Sequence, residues 1–352
     1  MLTTFAVSGV WSALLVALLV SLATTPVSMV VATRLGAIDM PGVKGTDSER
    51  HLHTRPTPRM GGLAIYLGFF FSALLFVPIG RKMVSMLIGA TIIVFLGILD
   101  DIYDLKASHK FCVQILAAAV ALAGGNKITF FSRLSMDANG GHFSLGWLSI
   151  PVTLLWIVLI TNAVNLIDGL DGLAAGVSSI SAISLVFIAL TYSNTSVAII
   201  TGALAGACIG FLPYNIPPAK IFMGDTGSTF IGYILAVASI QGLFKFYAVI
   251  SFVIPFFMLG LPIFDVCYAV VLRVIHGENP MKADRKHVHY RLIDMGFSKK
   301  QTVAVLYIFS AILGVTSVVI TTTGLGRALI LLVALGATAS VAAWLFLNRR
   351  KK

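Results

Sequence analysis

Eleven runs of apolar residues leave little of this sequence for water to solvate. They lie near 9–31, 61–79, 82–99, 111–124, 151–164, 173–191, 197–212, 228–243, 247–275, 303–321 and 326–347. Runs of such length read as membrane crossings, and in hydrocarbon only helices and closed barrels satisfy every backbone donor and acceptor. Charged residues are 11% of the 352, against about 25% in an average soluble domain. The expectation is an all-α polytopic membrane protein of about eleven transmembrane helices, one integral membrane domain over residues 1–352. The first run is too long, and its upstream flank too poor in cations, for a signal peptide, so it reads as a retained span. Cys112, Cys208 and Cys267 lie inside apolar runs and read as small core residues, with no disulfide framework.

Charge orients the chain. With the N-terminus outside and the C-terminus cytoplasmic, the inward loops are 32–60, 100–110, 165–172, 213–227 and 276–302. That arrangement places nineteen of the 25 Lys and Arg inside and six outside, as the positive-inside rule requires. The net charge of +11 is then an orientation signal, and no nucleic-acid partner is expected. Of the 14 acids only Asp137 falls outside, and of the seven histidines only His142. A transporter would keep ionisable groups near mid-membrane along its path. Here they gather at one face, which suits chemistry at a membrane–water boundary. The outer loop 125–150, with Asn139-Gly140-Gly141 between alternating stretches, predicts a small β-hairpin near 127–147. The ninth run carries Pro255, Gly260 and Pro262 and should be kinked or broken.

Four inward clusters carry the chemistry, and each has a plainer reading. "GILDDIYDLKASHK" sets Asp100, Asp101 and Asp104 at a helix C-terminus, where the macrodipole already disfavours negative charge. A solvated acidic loop with Lys106 and Lys110 as counter-charges is one account; a divalent cation or metal–phosphate complex is the other. "NAVNLIDGLDGLA" places Asn162, Asn165, Asp168 and Asp171 between apolar runs, with Gly169 and Gly172 permitting tight turns. Asp168 and Asp171, three apart, would face the same way on a helical turn. One helix cap needs fewer such residues.

"YNIPPAKIFMGDTGSTF" stops a helix at Pro217-Pro218 and starts another near Asp225, with Thr226 and Ser228 as expected caps. Its N-terminus would attract phosphate, and Asp225 beside it could hold Mg²⁺ on that phosphate. "MKADRKHVHYRL" brings Arg285, Lys286, His287, His289 and Arg291 to the last large inward loop. Such a loop suits a diphosphate, and plain positive-inside charge is the alternative. With His51 and His53 a zinc site is a further rival, with loose spacing. Arg55 and Arg59 precede the second run, as lipid-headgroup anchors or as binders of an anionic headgroup.

Together "PRMGGLAI", "GILDD", "WIVLITNAVNLIDGLDGLAAG", "PAKIFMGDTGS", "PIFD" and the H-x-H loop span most of residues 35–295. In that order they resemble the polyprenyl-phosphate N-acetylhexosamine-1-phosphate transferase family. The match looks closest to the bacterial branch that starts wall teichoic acid and O-antigen-type polymers, and it departs from the family's pattern at Tyr290, where members often carry another histidine. The resemblance implies that UDP-N-acetylglucosamine and undecaprenyl phosphate give undecaprenyl-diphospho-N-acetylglucosamine and UMP, with Mg²⁺ or Mn²⁺. It implies a bacterial plasma membrane enzyme with a cytoplasmic active site among membrane lipids, and leaves a homodimer open.

By the same resemblance, Asp225 is the principal metal ligand, and Asp100 and Asp101 orient or deprotonate the lipid phosphate. Asn165, Asp168 and Asp171 would shape the nucleotide pocket with Asn215 and Phe222. Lys110, Arg59, His287, His289 and Arg291 would contact nucleotide, sugar phosphates or headgroup. A phosphate monoester has its second pKa near 6, so the acceptor scarcely needs a base, which favours direct displacement over a covalent aspartyl intermediate. Two other readings stay open: a phosphotransferase for UDP-N-acetylmuramoyl-pentapeptide, and a nucleotide-sugar or lipid-linked-sugar transporter, for which only Asp265 is placed near mid-span.

Overall fold

The computed structural model describes residues 2–40, 55–132, 142–242, 259–275 and 287–323, with positions 256, 257, 326, 327 and 336 singly. In chain order the elements are α1 (Leu2–Arg34), β1 (Ile38–Asp39), β2 (Thr57–Pro58), α2 (Gly62–Phe76), α3 (Arg81–Tyr103) and α4 (Ala107–Ala123). There follow β3 (Phe130–Ser132), β4 (His142–Ser144), a single 3₁₀ turn, α5 (Ser149–Leu166), α6 (Leu173–Thr191), α7 (Thr195–Asn215) and α8 (Gly224–Gly242). The last described are α9 (Gly260–Ile275), α10 (Val288–Asp294) and α11 (Lys299–Thr323).

Among the described residues six helices, α1, α3, α5, α6, α7 and α11, are long and apolar enough to cross a membrane. Two shorter apolar helices, α2 and α4, join them. The run at 326–347, the start of the ninth run with Pro255, and His51, His53, Arg285 and Lys286 lie outside the described residues. Near 127–147 the described residues hold a small two-stranded sheet: β3 and β4 pair antiparallel, Phe130 opposite Ser144 and Ser132 opposite His142, and residues 133–141 between them lie outside the described ones. A second ladder, β1 with β2, sets Ile38 opposite Pro58 and Asp39 opposite Thr57 and has no sequence expectation behind it.

The outward faces are apolar. Leu15, Leu19, Val27 and Val30 of α1, Leu75 of α2, and Ile88 and Phe95 of α3 are all exposed. In lipid there is no hydrophobic drive between helices, so close packing of small residues must hold them together. On α7, Gly202, Gly206 and Gly210 recur every four residues; the last two press against the backbone of Leu14 and Leu18 on α1. On α2, Gly68 sits against the Ala17 carbonyl and Ser21, and Ser72 donates to the Ala13 carbonyl at 2.7 Å.

At the centre stands α8, buried from Thr226 to Gly242 and packed by α2, α3 and α5. A helix apolar all round belongs inside a bundle. Its first turn reaches the polar end, so the residues there are placed by everything that surrounds it.

Candidate active site

The start of α8 is wedged between two neighbours at positions where only glycine fits. Gly62 of α2 lies against the backbone of Thr226 and Gly227, and a Cβ on Gly97 of α3 would sit 2.5 Å from the Thr226 nitrogen and 2.8 Å from the Asp225 carbonyl carbon. The amides of Gly61 and Gly62 donate to the carbonyls of Phe222 and Met223 at 2.9 Å each, and Phe222 donates to Pro58 at 2.9 Å. These contacts fasten "PRMGG" to "IFMGD" and fix where α8 begins.

Two residues of one dipeptide then take different tasks. Asp101 accepts from the Asp225 amide (2.9 Å), the Thr226 amide (3.1 Å) and the Thr226 hydroxyl (2.6 Å). It is therefore the N-cap of α8, supplied from another helix 124 residues away. The expected caps, Thr226 and Ser228, do not play that part; the Ser228 hydroxyl donates back to the Gly224 carbonyl. At this N-terminus, where a phosphate is expected, the first two amides already hold the Asp101 carboxylate. This also answers why acids sit at the unfavourable end of α3, since the positive end of α8 compensates them.

Asp100 faces the other way. Its Oδ1 accepts from the Leu105 amide at 2.8 Å, and its Oδ2 lies 2.9 Å from Lys110 Nζ. The same ammonium lies 2.9 Å from Asp225 Oδ2, while Asp225 Oδ1 accepts from Asn165 Nδ2 at 3.0 Å. Asn165 also donates to Ser228 at 2.9 Å. Asp104, the third acid, is the exposed left-handed residue that ends α3.

Asp168 lies on turns between α5 and α6, half-buried; with Asp171 it shares a turn region rather than a helix. Burial, reinforced by the nearby Asp225 and Asp101 carboxylates, pushes its pKa up to about 8. The ordinary carboxylate value is about 3.9, so the folded state holds a proton that the unfolded chain releases throughout that window. The stability this group contributes is full below about pH 4 and is lost as pH rises toward 8. Thermal unfolding in detergent from about pH 5 to 8 should therefore lower the wild-type midpoint more than that of Asp168→Asn. Equal slopes would remove this account.

Two site candidates act on backbone. Asn215 is buried; its Oδ1 accepts from the Gly172 amide at 2.9 Å and its Nδ2 donates to the Ile221 carbonyl at 3.0 Å. Asp171 accepts from the Ala219 amide at 3.0 Å. Both brace loop 165–172 against loop 216–223. Phe222, in the second of these, is half-buried. The Arg59 charge acts on Asp101, Asp39, Asp225 and Asp100, which makes it a member of the acid cluster rather than only an interface anchor.

The histidines adjoin this cluster through Gly169, which His289 Nε2 closely approaches. Burial holds the His289 imidazole down to about 4, so it is neutral near pH 7, and its Nε2 has no hydrogen-bond partner among the described residues. Tyr290 packs on it with ring centroids 4.3 Å apart. Arg291 is exposed and lies over the Tyr268 ring at 4.7 Å. Missed by sequence reasoning were Ser228 as a partner of Asn165 and Asp265 as a partner of His287 Nδ1, at 2.7 Å.

Among the described residues no group of three or more His, Cys, Asp or Glu is arranged to hold a metal. The donor set nevertheless fits Mg²⁺: this ion is commonly held by one or two carboxylates plus substrate phosphates and water. Asp100 Oδ2 and Asp225 Oδ2 converge on a single cation position, where the Lys110 ammonium stands.

Residues 83–243 match the family model described as glycosyl transferase family 4. The chain is 39% identical over 309 residues to the probable undecaprenyl-phosphate N-acetylglucosaminyl 1-phosphate transferase of Bacillus subtilis, covering 88% of this chain and 84% of that protein. With the decaprenyl-phosphate N-acetylglucosaminephosphotransferase of Mycobacterium tuberculosis it shares 35% identity over 326 residues, 84% of this chain and 78% of the relative. With the phospho-N-acetylmuramoyl-pentapeptide-transferase of Clostridioides difficile it shares 31% over 295 residues, 79% and 87% of the two chains.

Proposed function

The chain belongs to glycosyl transferase family 4, among its polyprenyl-phosphate N-acetylglucosamine-1-phosphate transferases, and from that premise we propose its reaction. It transfers N-acetylglucosamine 1-phosphate from UDP-N-acetylglucosamine to undecaprenyl phosphate at the cytoplasmic face of the bacterial plasma membrane. An oxygen of the acceptor phosphate attacks the phosphorus that bears the sugar. One P–O–P linkage forms, another breaks, and UMP leaves with the electron pair. The observation that carries this reading is the convergence of Asp100 and Asp225 on one cation position at the ends of α3 and α8.

The chain's residues then divide the work. Asp225 and Asp100 would hold Mg²⁺ or Mn²⁺, and the ion supplies charge neutralisation on the phosphates. Lys110, already between the two carboxylates, turns to a phosphate oxygen as the anion arrives. Asn165 keeps Asp225 in one rotamer through Oδ1. Asp101 holds α8 in place and does not itself touch the acceptor. Asp168, Asp171, Asn215 and Phe222 form the nucleotide pocket, two of them by bracing its loops. Arg59, His287, His289 and Arg291 supply charge and polar edges for the diphosphate and headgroup.

The lipid acceptor has a matching feature. An apolar cleft lined by Thr91, Ile92, Phe95, Leu96, Leu99 and Val113 runs along α3 and α4 to the residue before Asp100. A phosphate at Asp100 and Lys110 would leave its chain in that cleft. The excess of inward cations supports an outside N-terminus and an inward site. We read the remaining apolar runs as further spans, to about eleven in all.

Purified protein in detergent, given undecaprenyl phosphate and Mg²⁺, should release UMP with UDP-N-acetylglucosamine and not with UDP-N-acetylmuramoyl-pentapeptide. EDTA should stop it, and omission of the lipid should stop it. Release with the pentapeptide donor only would move the substrate to that of the muramoyl relatives. Trapping of a phospho-aspartate would overturn direct displacement.

A further inference from the structure

Asp265 lies one turn into α9 and is 1% exposed. A carboxylate removed from water in this way costs several kcal/mol unless both oxygens find donors. Each has a partner, and both partners stand where the basic loop's helix begins. Oδ1 accepts from the Val288 amide at 2.7 Å, and Oδ2 meets His287 Nδ1 at 2.7 Å. His287 is itself buried and precedes the first residue of α10, which no side chain of its own caps.

The two bonds do different things. The Val288 bond alone would tether α10 to α9. The bond to His287 adds something a tether does not need: it decides which ring nitrogen carries the proton. A carboxylate on Nδ1 keeps that atom protonated and leaves Nε2 as the nitrogen that gains or gives up a proton. Its neighbour differs. His289 stacks 5.8 Å away at 10°, is held neutral by burial, and lies against Gly169.

We propose that Asp265 is a positioning residue for the transfer reaction: it fixes His287 as the Nδ1–H tautomer, orients its ring and docks the His-bearing helix through Val288. This rests on the reading above, in which His287 serves the donor phosphates. With Nδ1 committed to Asp265, Nε2 is the one ring nitrogen left for the substrate.

Asp265→Asn separates tautomer from tether. Its carbonyl oxygen still accepts from Val288, while its amide donates to Nδ1 and drives the ring proton to Nε2. Two measurements on the full-length protein in detergent test this. Nitrogen-15 histidine spectra, with the His287 signal identified by its loss in His287→Gln, should show Nδ1–H in the wild type and Nε2–H in Asp265→Asn. UMP release should fall about 10²-fold in kcat with KM little changed, at an unchanged unfolding midpoint. Asp265→Ala should lose activity and lower the midpoint as well.

A switched tautomer with wild-type kcat would overturn the proposal, and so would lost activity with an unswitched tautomer. A wild type that shows the tautomer switch on mutation but never releases UMP would sink the proposed reaction instead, leaving the Asp265–His287 geometry intact.

Discussion

Asp225→Asn is expected to lower UMP release by about 10³-fold or more while the protein still inserts, purifies and unfolds near the wild-type temperature. The substitution preserves volume and keeps an oxygen for Asn165. It turns an NH₂ group toward Lys110, so two donors face each other where an ion pair stood. The cation position then has Asp100 alone. Stability should change little, because loss of the Asp225 charge also relieves repulsion on Asp168 and Asp101. Steady-state UMP assays beside thermal unfolding in the same detergent would measure both. Retained turnover would remove Asp225 from the centre of the reaction.

Gly97→Ala should be nearly as damaging, against the direction that helix propensity gives. In an isolated helix alanine is favoured over glycine by about 1 kcal/mol. At position 97 the new Cβ meets the backbone of Asp225 and Thr226, 2.5 Å from the Thr226 nitrogen, and backbone cannot rotate away. Relief requires α3 and α8 to separate by about 1 Å to reach ordinary carbon contact. The Asp101 cap, at 2.6 to 3.1 Å, would be stretched apart. Overpacking of this kind costs about 1–3 kcal/mol, and a displacement of about 1 Å at a reacting group costs about 10²-fold in rate. Gly9→Ala in α1 is the control: its Cβ would meet only Ile199 at 3.6 Å, so stability should hold or rise. Matching behaviour of the two variants would refute the wedge.

The sequence made the polar end of the bundle legible because its acids interrupt apolar runs, which few other arrangements tolerate. Asp100, Lys110, Asn165, Asp168 and Asp225 are all brought to one place. Less legible was the division of labour within a motif. Asp100 and Asp101 are neighbours in sequence, yet one faces Lys110 and the other caps a helix that begins more than 120 residues later. Local pattern cannot show a cap supplied from another helix, so Thr226 and Ser228 looked like the caps instead. The glycines did carry a signal: Gly97 lies one helical turn before Asp101, and Gly224 immediately before Asp225. Asn215 and Asp171 show a related limit, since a polar side chain at a pocket's edge and one that braces its loops look alike in a string of letters.

The small residues of α7 were a clear signal of another kind. Gly202, Gly206 and Gly210 at fixed spacing suit a close helix contact, a signal that sequence reasoning missed, and the structure shows the last two against α1. The Asp265–His287 pair offered no such cue, because its members are 22 residues apart on elements of different character.

One carboxylate thus fastens the end of α3 to the start of α8, and Asp100 and Asp225 are the residues immediately beside the knot. Their clearance is set by three short bonds that would have to break together. The gap between these two acids is a built dimension of the protein, like the span of a caliper locked at one setting. Little reorganisation is then left for the moment when charge moves between phosphates.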